Sequence, residues 1–338
     1  MKRILLHLGL PKTATTTLQH HLFQKLHDEG NINFLGKVVD YDKNGKAYFK
    51  NNVGWIIRKA CEGRINNGDV SEKIDELLVK DKLNVFSDEG IMVFYPGQDN
   101  LPLSEKIQNL NDLLSEFEVK VLMTIRQPVD YIFSLYVQLH AEFYRKIKEL
   151  DTFEKYAHYF VNSESNIDQE SVFMEETIKL VSNYFDTKIL VFEDIKHDPK
   201  YFAQQVALAL ETDKHLVEKI ILDQHENIKK GGEGGVYSQQ VISLLGLKKW
   251  IADVTRKQPI VHSIFKSMYR SEKLPLQQLT NFKVAQKATF HKKADPILSS
   301  KLLSMTGISP SFQADKFGVS QKKLCDYNYI AGEVINAK

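Results

Sequence analysis

The sequence has 338 residues, 43% of them hydrophobic, which is enough to bury the core of one large domain or two modest ones. Its 45 Lys and Arg residues nearly balance 43 Asp and Glu residues, and the formal net charge is +2. This balance argues against a general binder of nucleic acids or membrane surfaces, so any anion site has to be a local feature.

The cysteines and the first residues of the chain bear on its compartment. Cys61 and Cys325 stand in no paired or metal-ligand spacing, so we expect two buried thiols in a reducing compartment. The apolar run near Met1 ends at Leu8, which is too short for a signal peptide. No stretch approaches the roughly 18 apolar residues of a membrane span. We therefore expect a cytoplasmic protein without a membrane anchor.

The beginning of the chain predicts a strand, a loop and a helix in succession. Residues 4–8 form a nearly continuous apolar run before Gly9, which is typical of a buried strand in a parallel sheet. Leucines then recur at every fourth residue from Leu18 to Leu26, and Gly30 ends the pattern. That spacing predicts one buried helix face with a glycine after the last turn.

Three later segments have the composition of buried strands, namely residues 83–86, 119–125 and 188–192. Helical patterns separate them, the clearest in residues 129–143 and 171–185. Strands that alternate with helices predict an α/β fold with a doubly wound, mainly parallel sheet flanked by helices.

The remaining segments are less regular. Residues 40–81 are polar and predict a mixture of loop and short helices. Residues 229–235 hold four glycines in seven positions, which indicates a flexible stretch. We therefore predict a core domain in residues 1–235. Residues 236–338 form a mainly helical C-terminal region that packs on this core or caps its ligand cleft.

The loop after the first strand has the composition of an anion site. Such a loop presents unpaired backbone N–H groups, and the dipole of the following helix adds positive potential. Lys12 adds a full charge, and the threonines that follow it add hydroxyl donors. An ordinary capped helix with a solvated lysine is the alternative. The Walker A pattern does not fit, because Lys12 comes three residues after Gly9 with no second glycine before it.

A second anion site is predicted where the strand 119–125 ends. Arg126 follows this strand, Pro128 opens the next helix, and Ser134 comes eight residues after Arg126. Ligands bind open α/β sheets at the carboxyl ends of their strands, and a guanidinium suits bidentate contact with phosphate. For this pair alone, a surface arginine and a helix serine are the alternative.

Together the two sites resemble the donor site of sulfotransferases that use 3′-phosphoadenosine 5′-phosphosulfate (PAPS). Residues 11–16, which read PKTATT, resemble the family's 5′-phosphosulfate motif, Pro-Lys-Ser/Thr-Gly-Thr-Thr. Ala14 replaces the usual glycine and should require an ordinary backbone conformation there. Arg126 and Ser134 resemble the pair that holds the 3′-phosphate in this family.

Two weaker likenesses extend the resemblance over about residues 1–235. Lys229-Lys230-Gly231 resembles the Arg-Lys-Gly element that closes over the 3′-phosphate, although a solvated loop is an equal alternative. Residues 189–194 resemble a strand–helix segment of these enzymes, and we interpret that segment as structural.

The resemblance implies a P-loop-like fold, PAPS as donor, adenosine 3′,5′-bisphosphate (PAP) as product, and no required metal. The donor-binding residues that it implies are Pro11, Lys12, Thr13, Ala14, Thr15, Thr16, Thr17, Arg126, Ser134, Lys230 and Gly231.

A catalytic base is predicted where the strand 83–86 ends. Asp88 and Glu89 lie in a turn at the edge of the sheet that also carries the donor site. In carbohydrate-type and many bacterial sulfotransferases a Glu in a comparable segment looks like the base, and Glu89 matches it by position. Asp88 is the alternative base, because adjacent residues leaving a strand point in opposite directions. The alternative without a catalytic role is that both are solvated carboxylates of a turn.

The histidines are weaker candidates, although histidine is the base in the cytosolic branch of the family. His7 lies in the first strand, where we expect a core or supporting residue. His20 and His21 lie on the first helix and are expected at the surface. His140 follows the second motif and could reach an acceptor cleft. We therefore prefer Glu89.

The resemblance implies sulfuryl transfer from PAPS to an acceptor hydroxyl, with Lys12 stabilising the leaving phosphate and Glu89 as base. A saccharide or glycolipid acceptor is preferred, because the likeness is to the bacterial and carbohydrate-type branch. Tyr136, Tyr144 and Arg145 follow the second motif and would suit a glycan, although core packing is the expected role of the aromatic rings.

Two other functions stay open. One is a P-loop small-molecule kinase, which would need a Walker-type loop and a magnesium-binding Asp. The other is a nucleotide-binding protein without turnover. We expect no nucleic-acid partner.

Overall fold

The computed structural model describes residues 2–36, 39–41, 47–49, 53–65, 67–94, 101–145, 147–163, 167–225, 236–242, 285–291 and 295–331. The chain divides into two compact units. One comprises Met1–Lys229 with Ala294–Lys338, and the other comprises Lys230–Lys293. The segment Ala294–Lys338 thus belongs to the same unit as the N-terminal part of the chain.

The described strands fall into one five-stranded sheet and two strand pairs. In chain order the strands are β1 (Arg3–His7), β2 (Asn33–Phe34), β3 (Val39–Tyr41), β4 (Ala47–Phe49), β5 (Leu83–Ser87), β6 (Glu118–Ile125), β7 (Asp186–Val191), β8 (Val236–Ile242) and β9 (Ala285–His291).

The described helices surround the large sheet or follow it in the chain. They are α1 (Thr15–Thr17), α2 (Gln24–Asp28), α3 (Val53–Cys61), α4 (Asn67–Leu77), α5 (Leu103–Leu114), α6 (Pro128–Leu139), α7 (Phe153–Asn162), α8 (Met174–Ser182), α9 (Asp194–His197), α10 (Pro199–Ala209), α11 (Lys214–His225), α12 (Pro296–Thr306) and α13 (Gln321–Asp326). Shorter turns are π-helical in Leu18–Phe23 and His140–Tyr144 and 3₁₀-helical in Glu89–Met92, Ile167–Val172 and Ala314–Phe317. In the part of the chain that the structure describes, no helix is long and apolar enough to cross a bilayer.

The five-stranded sheet is parallel, with strand order β2–β5–β1–β6–β7. From β1 the chain first runs towards the β2 edge and later, after β5, towards the β7 edge. Right-handed crossovers in opposite directions place helices on both faces of a sheet. The predicted doubly wound α/β fold is therefore confirmed, and all four predicted strands lie in this sheet.

One face of the sheet is covered by the first helical segment together with α10 and α11. Leu5 of β1 and Val85 of β5 pack in one buried cluster with Leu22, Phe202 and Val217 from these helices. This burial explains the continuous apolar runs of the strands, since both faces of a parallel sheet are covered. The cluster fixes the helix that begins directly after the first loop.

The first predicted helix is confirmed, with a local difference in its winding. The segment runs as α1, a π-helical turn and α2, and its residues Leu18, Leu22 and Leu26 are buried as predicted. Gly30 has a positive φ of 77°, the left-handed conformation expected of a glycine after a helix end.

The less regular regions contain strands that the pattern did not predict. Residues 40–81 hold the two helices α3 and α4, and β4 pairs with β3 in an antiparallel hairpin. The region 236–338 was predicted to be mainly helical, but its described part includes the antiparallel pair β8–β9 as well as the helices α12 and α13.

The two cysteines differ in burial. Cys61 in α3 is buried, as predicted, and burial raises the pKa of its thiol to about 12. Cys325 in α13 is exposed, so the prediction of a second buried thiol was wrong. The neighbouring Leu324 takes the buried side of this short helix.

Candidate active site at the carboxyl edge of the sheet

Three segments meet where the central strands end. The loop of residues 8–14 follows β1, the turn beginning at Asp88 follows β5, and Arg126 follows β6. The register places His7 beside Ser87, and the N–H of Leu10 donates to the carbonyl of Thr124 at 3.1 Å. Parallel strands bring their carboxyl ends to one edge, which is where ligands bind this class of sheet.

The loop after β1 contains two residues in the left-handed region, Lys12 with φ 65° and Ala14 with φ 59°. The expectation of an ordinary backbone conformation at Ala14 was therefore wrong. The chain has to turn into the helix that begins at Thr15, and Ala14 makes this turn while its methyl group packs against the core cluster. Turns of this kind can present successive N–H groups to an anion.

Thr13 makes a hydrogen bond within the loop itself. The Thr13 hydroxyl is buried and donates to the carbonyl of Leu10 at 2.5 Å. The neighbouring Pro11 is also buried. The Thr13 hydroxyl proton is thereby used within the loop, so Thr13 shapes the site more than it offers a donor.

The other loop side chains differ in exposure. Thr15 is buried, and its methyl group lies 2.5 Å from where a Cβ on residue 9 would stand, so only glycine fits at Gly9. Lys12 and Thr16 are exposed, whereas Thr17 is half-buried. The exposed pair can meet a ligand from solvent.

Arg126 joins this loop to the second predicted site. Its Nη1 donates to the carbonyl of Lys12 at 3.1 Å and to the hydroxyl of Ser134 at 3.2 Å. The guanidinium also lies over the ring of Phe192, with Cζ 4.8 Å from the ring centroid. The structure thus brings together residues from both predicted anion sites.

The charges at this edge favour an anion. The surrounding protein desolvates the ammonium of Lys12, and the nearby Arg126 repels it. Both effects, desolvation being the larger, lower the pKa of Lys12. An anion bound between the two cations would relieve this repulsion.

Asp88, the alternative base, is held in an ion pair. Its carboxylate accepts from Nε of Arg58 at 2.7 Å and also contacts Nη2. It further accepts from the N–H of Gly90 at 2.9 Å, which caps the turn. These contacts bury Asp88 and give it a structural role that its position in the sequence did not reveal.

Glu89 is half-buried and lies one residue further into the turn. Its Oε2 accepts from Nε2 of Gln19 at 2.7 Å, and the same nitrogen donates to the hydroxyl of Ser87 at 2.9 Å. Gln19 is itself buried. Sequence reasoning missed Gln19, because a single glutamine inside a helix carries no motif.

His7 lies in the core beneath the loop, as predicted. Its Nδ1 is 2.7 Å from the hydroxyl of Ser87, and its Nε2 is 3.1 Å from that of Thr124. Burial lowers the pKa of His7 to about 4, although the charge of Glu89 partly raises it. The imidazole is therefore neutral at pH 7 and supports the turn.

The other histidines lie elsewhere. His21 is exposed and His20 half-buried on the first helical segment. His140 is buried, its Nε2 lies 3.2 Å from the carbonyl of Asp151, and burial lowers its pKa. It packs edge-on against Tyr136 at 5.4 Å, within an aromatic cluster.

The aromatic residues after the second motif are core residues. Tyr136 and Tyr144 are buried and stack at 5.6 Å, and Tyr156 packs 5.0 Å from each ring. They offer no open face to a sugar, whereas Arg145 is exposed. Lys230 and Gly231 lie outside the described residues. Among the residues that are described, no three His, Cys, Asp or Glu side chains are grouped as metal ligands.

Comparisons with known proteins yield likenesses to solved structures. No protein-family model and no curated protein matches the sequence. A sulfotransferase structure from Alicyclobacillus acidocaldarius is 14% identical with a TM-score of 0.40, over 63% of this chain and 83% of that one. The mouse sulfotransferase SULT7A1 complexed with PAP is 11% identical with a TM-score of 0.38, over 68% and 69% of the two chains. At these values neither likeness bears on the function.

Proposed function

We propose that this protein is a PAPS-dependent sulfotransferase that transfers a sulfuryl group to an acceptor hydroxyl. The observation that supports it best is the position of Arg126, whose Nη1 lies 3.1 Å from the carbonyl oxygen of Lys12 and 3.2 Å from the hydroxyl of Ser134. A loop with an exposed lysine is thereby joined to an arginine–serine pair. PAPS carries phosphate at both ends and suits two adjoining anion sites.

The donor fits the charges and the residue types at this edge. We assign its 5′-phosphosulfate to the loop amides, Lys12 and the hydroxyls of Thr15 and Thr16. The 3′-phosphate is assigned to Arg126 and Ser134. Lys230 and Gly231 are proposed as further contacts to it. When bound, the donor supplies an activated sulfuryl group whose bond to a phosphate oxygen is ready to break.

The residues of the chain then have distinct roles in the transfer. Glu89 takes the proton of the acceptor hydroxyl as the acceptor oxygen bonds to sulfur and the bond from sulfur to the phosphate oxygen breaks. Lys12 stabilises the charge that develops on the leaving phosphate. The amide of Gln19 orients the Glu89 carboxylate, and the pair of Arg58 with Asp88 fixes the turn that carries it.

The acceptor is proposed to be a saccharide or glycolipid hydroxyl. This part of the proposal rests on the resemblance of the Glu89 segment to carbohydrate-type and bacterial sulfotransferases. Labelled sulfate transfer from PAPS onto a panel of glycans and phenols tests it. Labelling of phenols but not of glycans would contradict a saccharide acceptor.

Calorimetric titration with PAP tests the donor site. We expect the wild-type protein to bind PAP, and Lys12→Ala and Arg126→Ala to bind it at least about tenfold more weakly, since each removes a charge-assisted contact of about 1.5–3 kcal/mol. Lys25→Ala and Arg145→Ala are matched controls, because both residues are exposed outside the site, and they should bind PAP like the wild type.

Three results would contradict the proposal. If both Lys12→Ala and Arg126→Ala bound PAP with wild-type affinity, the proposed donor site would be wrong. Preference for ATP with magnesium over PAPS would favour a small-molecule kinase. Binding of PAP without transfer to any acceptor would favour a nucleotide-binding protein without turnover.

A further inference from the structure

The C-terminal segment Tyr327–Tyr329, here the C-terminal hook, reaches the edge of the sheet beside Arg126. The hydroxyl of Tyr329 donates to Oε2 of Glu193 at 2.5 Å, and that of Tyr327 donates to Oδ1 of Asp194 at 2.9 Å. The carbonyl of Asn328 accepts from Nε2 of Gln127 at 3.1 Å. The hook therefore contacts both the segment after β6 and the segment after β7.

Both of these segments surround Arg126, which belongs to the first and contacts the second. Gln127 is its neighbour in the chain, and the N–H of Gln127 donates to Oε1 of Glu193 at 3.0 Å. Phe192, whose ring lies under the guanidinium, directly precedes Glu193. One carboxylate thus links the backbone beside Arg126 to the hook, through its two oxygens.

The hook is firmly anchored. Tyr329 is fully buried, and Asp194 is almost so. Lys323 in α13 donates to Oδ1 of Asp194 at 2.8 Å, next to the hydroxyl of Tyr327. Desolvation raises the pKa of Glu193, although donation from Tyr329 and Gln127 opposes this rise. A displaced hook would leave a desolvated carboxylate with one donor fewer.

We propose that the C-terminal hook positions Arg126 for the 3′-phosphate of the donor, so that Tyr329 and Glu193 are positioning residues of the nucleotide site. This inference rests on the proposed function. It assigns a role to a segment about 200 residues away from Arg126 in the sequence, where no anion-binding motif occurs. Rigid support of this kind is what keeps a binding group in its productive geometry.

Tyr329→Phe is the direct test, because it removes only the hydroxyl that contacts Glu193. We expect the affinity for PAP to fall about fivefold to tenfold, within the range for residues coupled in one hydrogen-bond network. The affinity for adenosine 5′-monophosphate, which has no 3′-phosphate, should stay unchanged. Calorimetric titration of both nucleotides measures this difference, which a general loss of stability would not produce.

Two further variants separate positioning from folding. Tyr131→Phe removes another buried hydroxyl contact, to Ser171 at 3.3 Å, and should bind PAP like the wild type. Tyr327→Phe removes the contact of the hook with Asp194 and should repeat the selective loss for PAP if Tyr329→Phe does not fold. In Arg126→Ala, adding Tyr329→Phe should cause no further loss of PAP affinity.

The outcomes distinguish this inference from the proposed function. Suppose that the wild-type protein binds PAP. If Tyr329→Phe then binds PAP with wild-type affinity, or loses affinity equally for both nucleotides, only the proposed role of the hook is overturned. Additive losses in the double variant would do the same. A wild-type protein that binds neither nucleotide would overturn the proposed function and the inference with it.

Discussion

Ala14 lies at the turn from the loop into the first helix, with φ 59°. An alanine in this conformation costs roughly 1–2 kcal/mol, because its Cβ crowds the following carbonyl. The 5′-phosphosulfate motif that this loop resembles has glycine at this position. Glycine adopts the same backbone conformation without that crowding. Ala14 therefore adopts this conformation at a cost in strain, while its methyl group packs against the core.

We expect Ala14→Gly to change the free energy of unfolding by less than about 0.5 kcal/mol. Relief of about 1–2 kcal/mol of strain is offset by the added freedom of the unfolded chain, about 0.5–1 kcal/mol, and by the lost burial of the methyl group, about 0.8 kcal/mol. Ala209→Gly is the matched control, because Ala209 also packs against the core but lies in the helix α10. It should lower the free energy of unfolding by about 1–2 kcal/mol in urea denaturation. Equal losses in the two variants would show that Ala14 is unstrained.

The two carboxylates after β5 have separate tasks. Glu89→Gln should lower turnover with PAPS by at least about a hundredfold, because it removes the proposed base. The affinity for PAP should stay at the wild-type value. Steady-state kinetics together with calorimetry checks both statements, and unchanged turnover would remove Glu89 from the mechanism.

At the scale of elements, the turn after β5 depends on a helix from the polar region. Arg58 lies in α3, thirty residues before Asp88, and its guanidinium holds both oxygens of this buried carboxylate. The turn is thus braced from α3 on one side and by Gln19 of the first helical segment on the other. Strand, turn and two helices together present Glu89 at the edge of the sheet.

Arg58→Ala should lower the free energy of unfolding by about 3 kcal/mol, because it leaves the buried Asp88 without its charged partner. Arg64→Ala is the control: Arg64 is exposed and contacts the half-buried Glu62 at 3.1 Å. Loss of such a pair should change the free energy of unfolding by less than about 1 kcal/mol. Similar losses for the two variants in urea denaturation would contradict the structural role of the buried pair.

At the scale of the whole molecule, the last part of the chain belongs to the N-terminal unit. α12 packs against α6 and α7, and Ile308 forms a parallel bridge with Ile330, which directly follows the hook. The hook contacts the segments that follow β6 and β7. The nucleotide site proposed here draws on residues from both ends of the sequence.

The stability of this unit should depend on pH through His7. Its pKa is about 4 in the folded protein and about 6.5 in the unfolded chain, so the unfolded state binds more protons. The stabilisation is complete above about pH 6.5 and is lost as the pH falls towards 4, by roughly 3 kcal/mol. Urea denaturation of the wild type and of His7→Gln between pH 7 and pH 4 should show a smaller dependence in the variant. If the free energy of unfolding depended on pH equally in both proteins, its attribution to His7 would be wrong.

The sequence alone predicted the elements that follow from local patterns. Apolar runs marked β1, β5, β6 and β7, because buried parallel strands need apolar side chains on both faces. The strand–loop–helix order located Lys12 and the spacing located Arg126 and Ser134, which the structure brings to one edge. The short strands of the polar region were missed, since two or three residues carry no period.

The tertiary structure decided which groups meet. The left-handed conformation of Ala14 follows from the packing of the first helix against the core, which no local pattern reports. Arg58 pairs with Asp88, Gln19 with Glu89, and Tyr329 with Glu193, across 30, 70 and 136 residues of sequence. Such contacts depend on sheet topology, which brings distant segments to one edge and there fixes the charge and burial of each side chain.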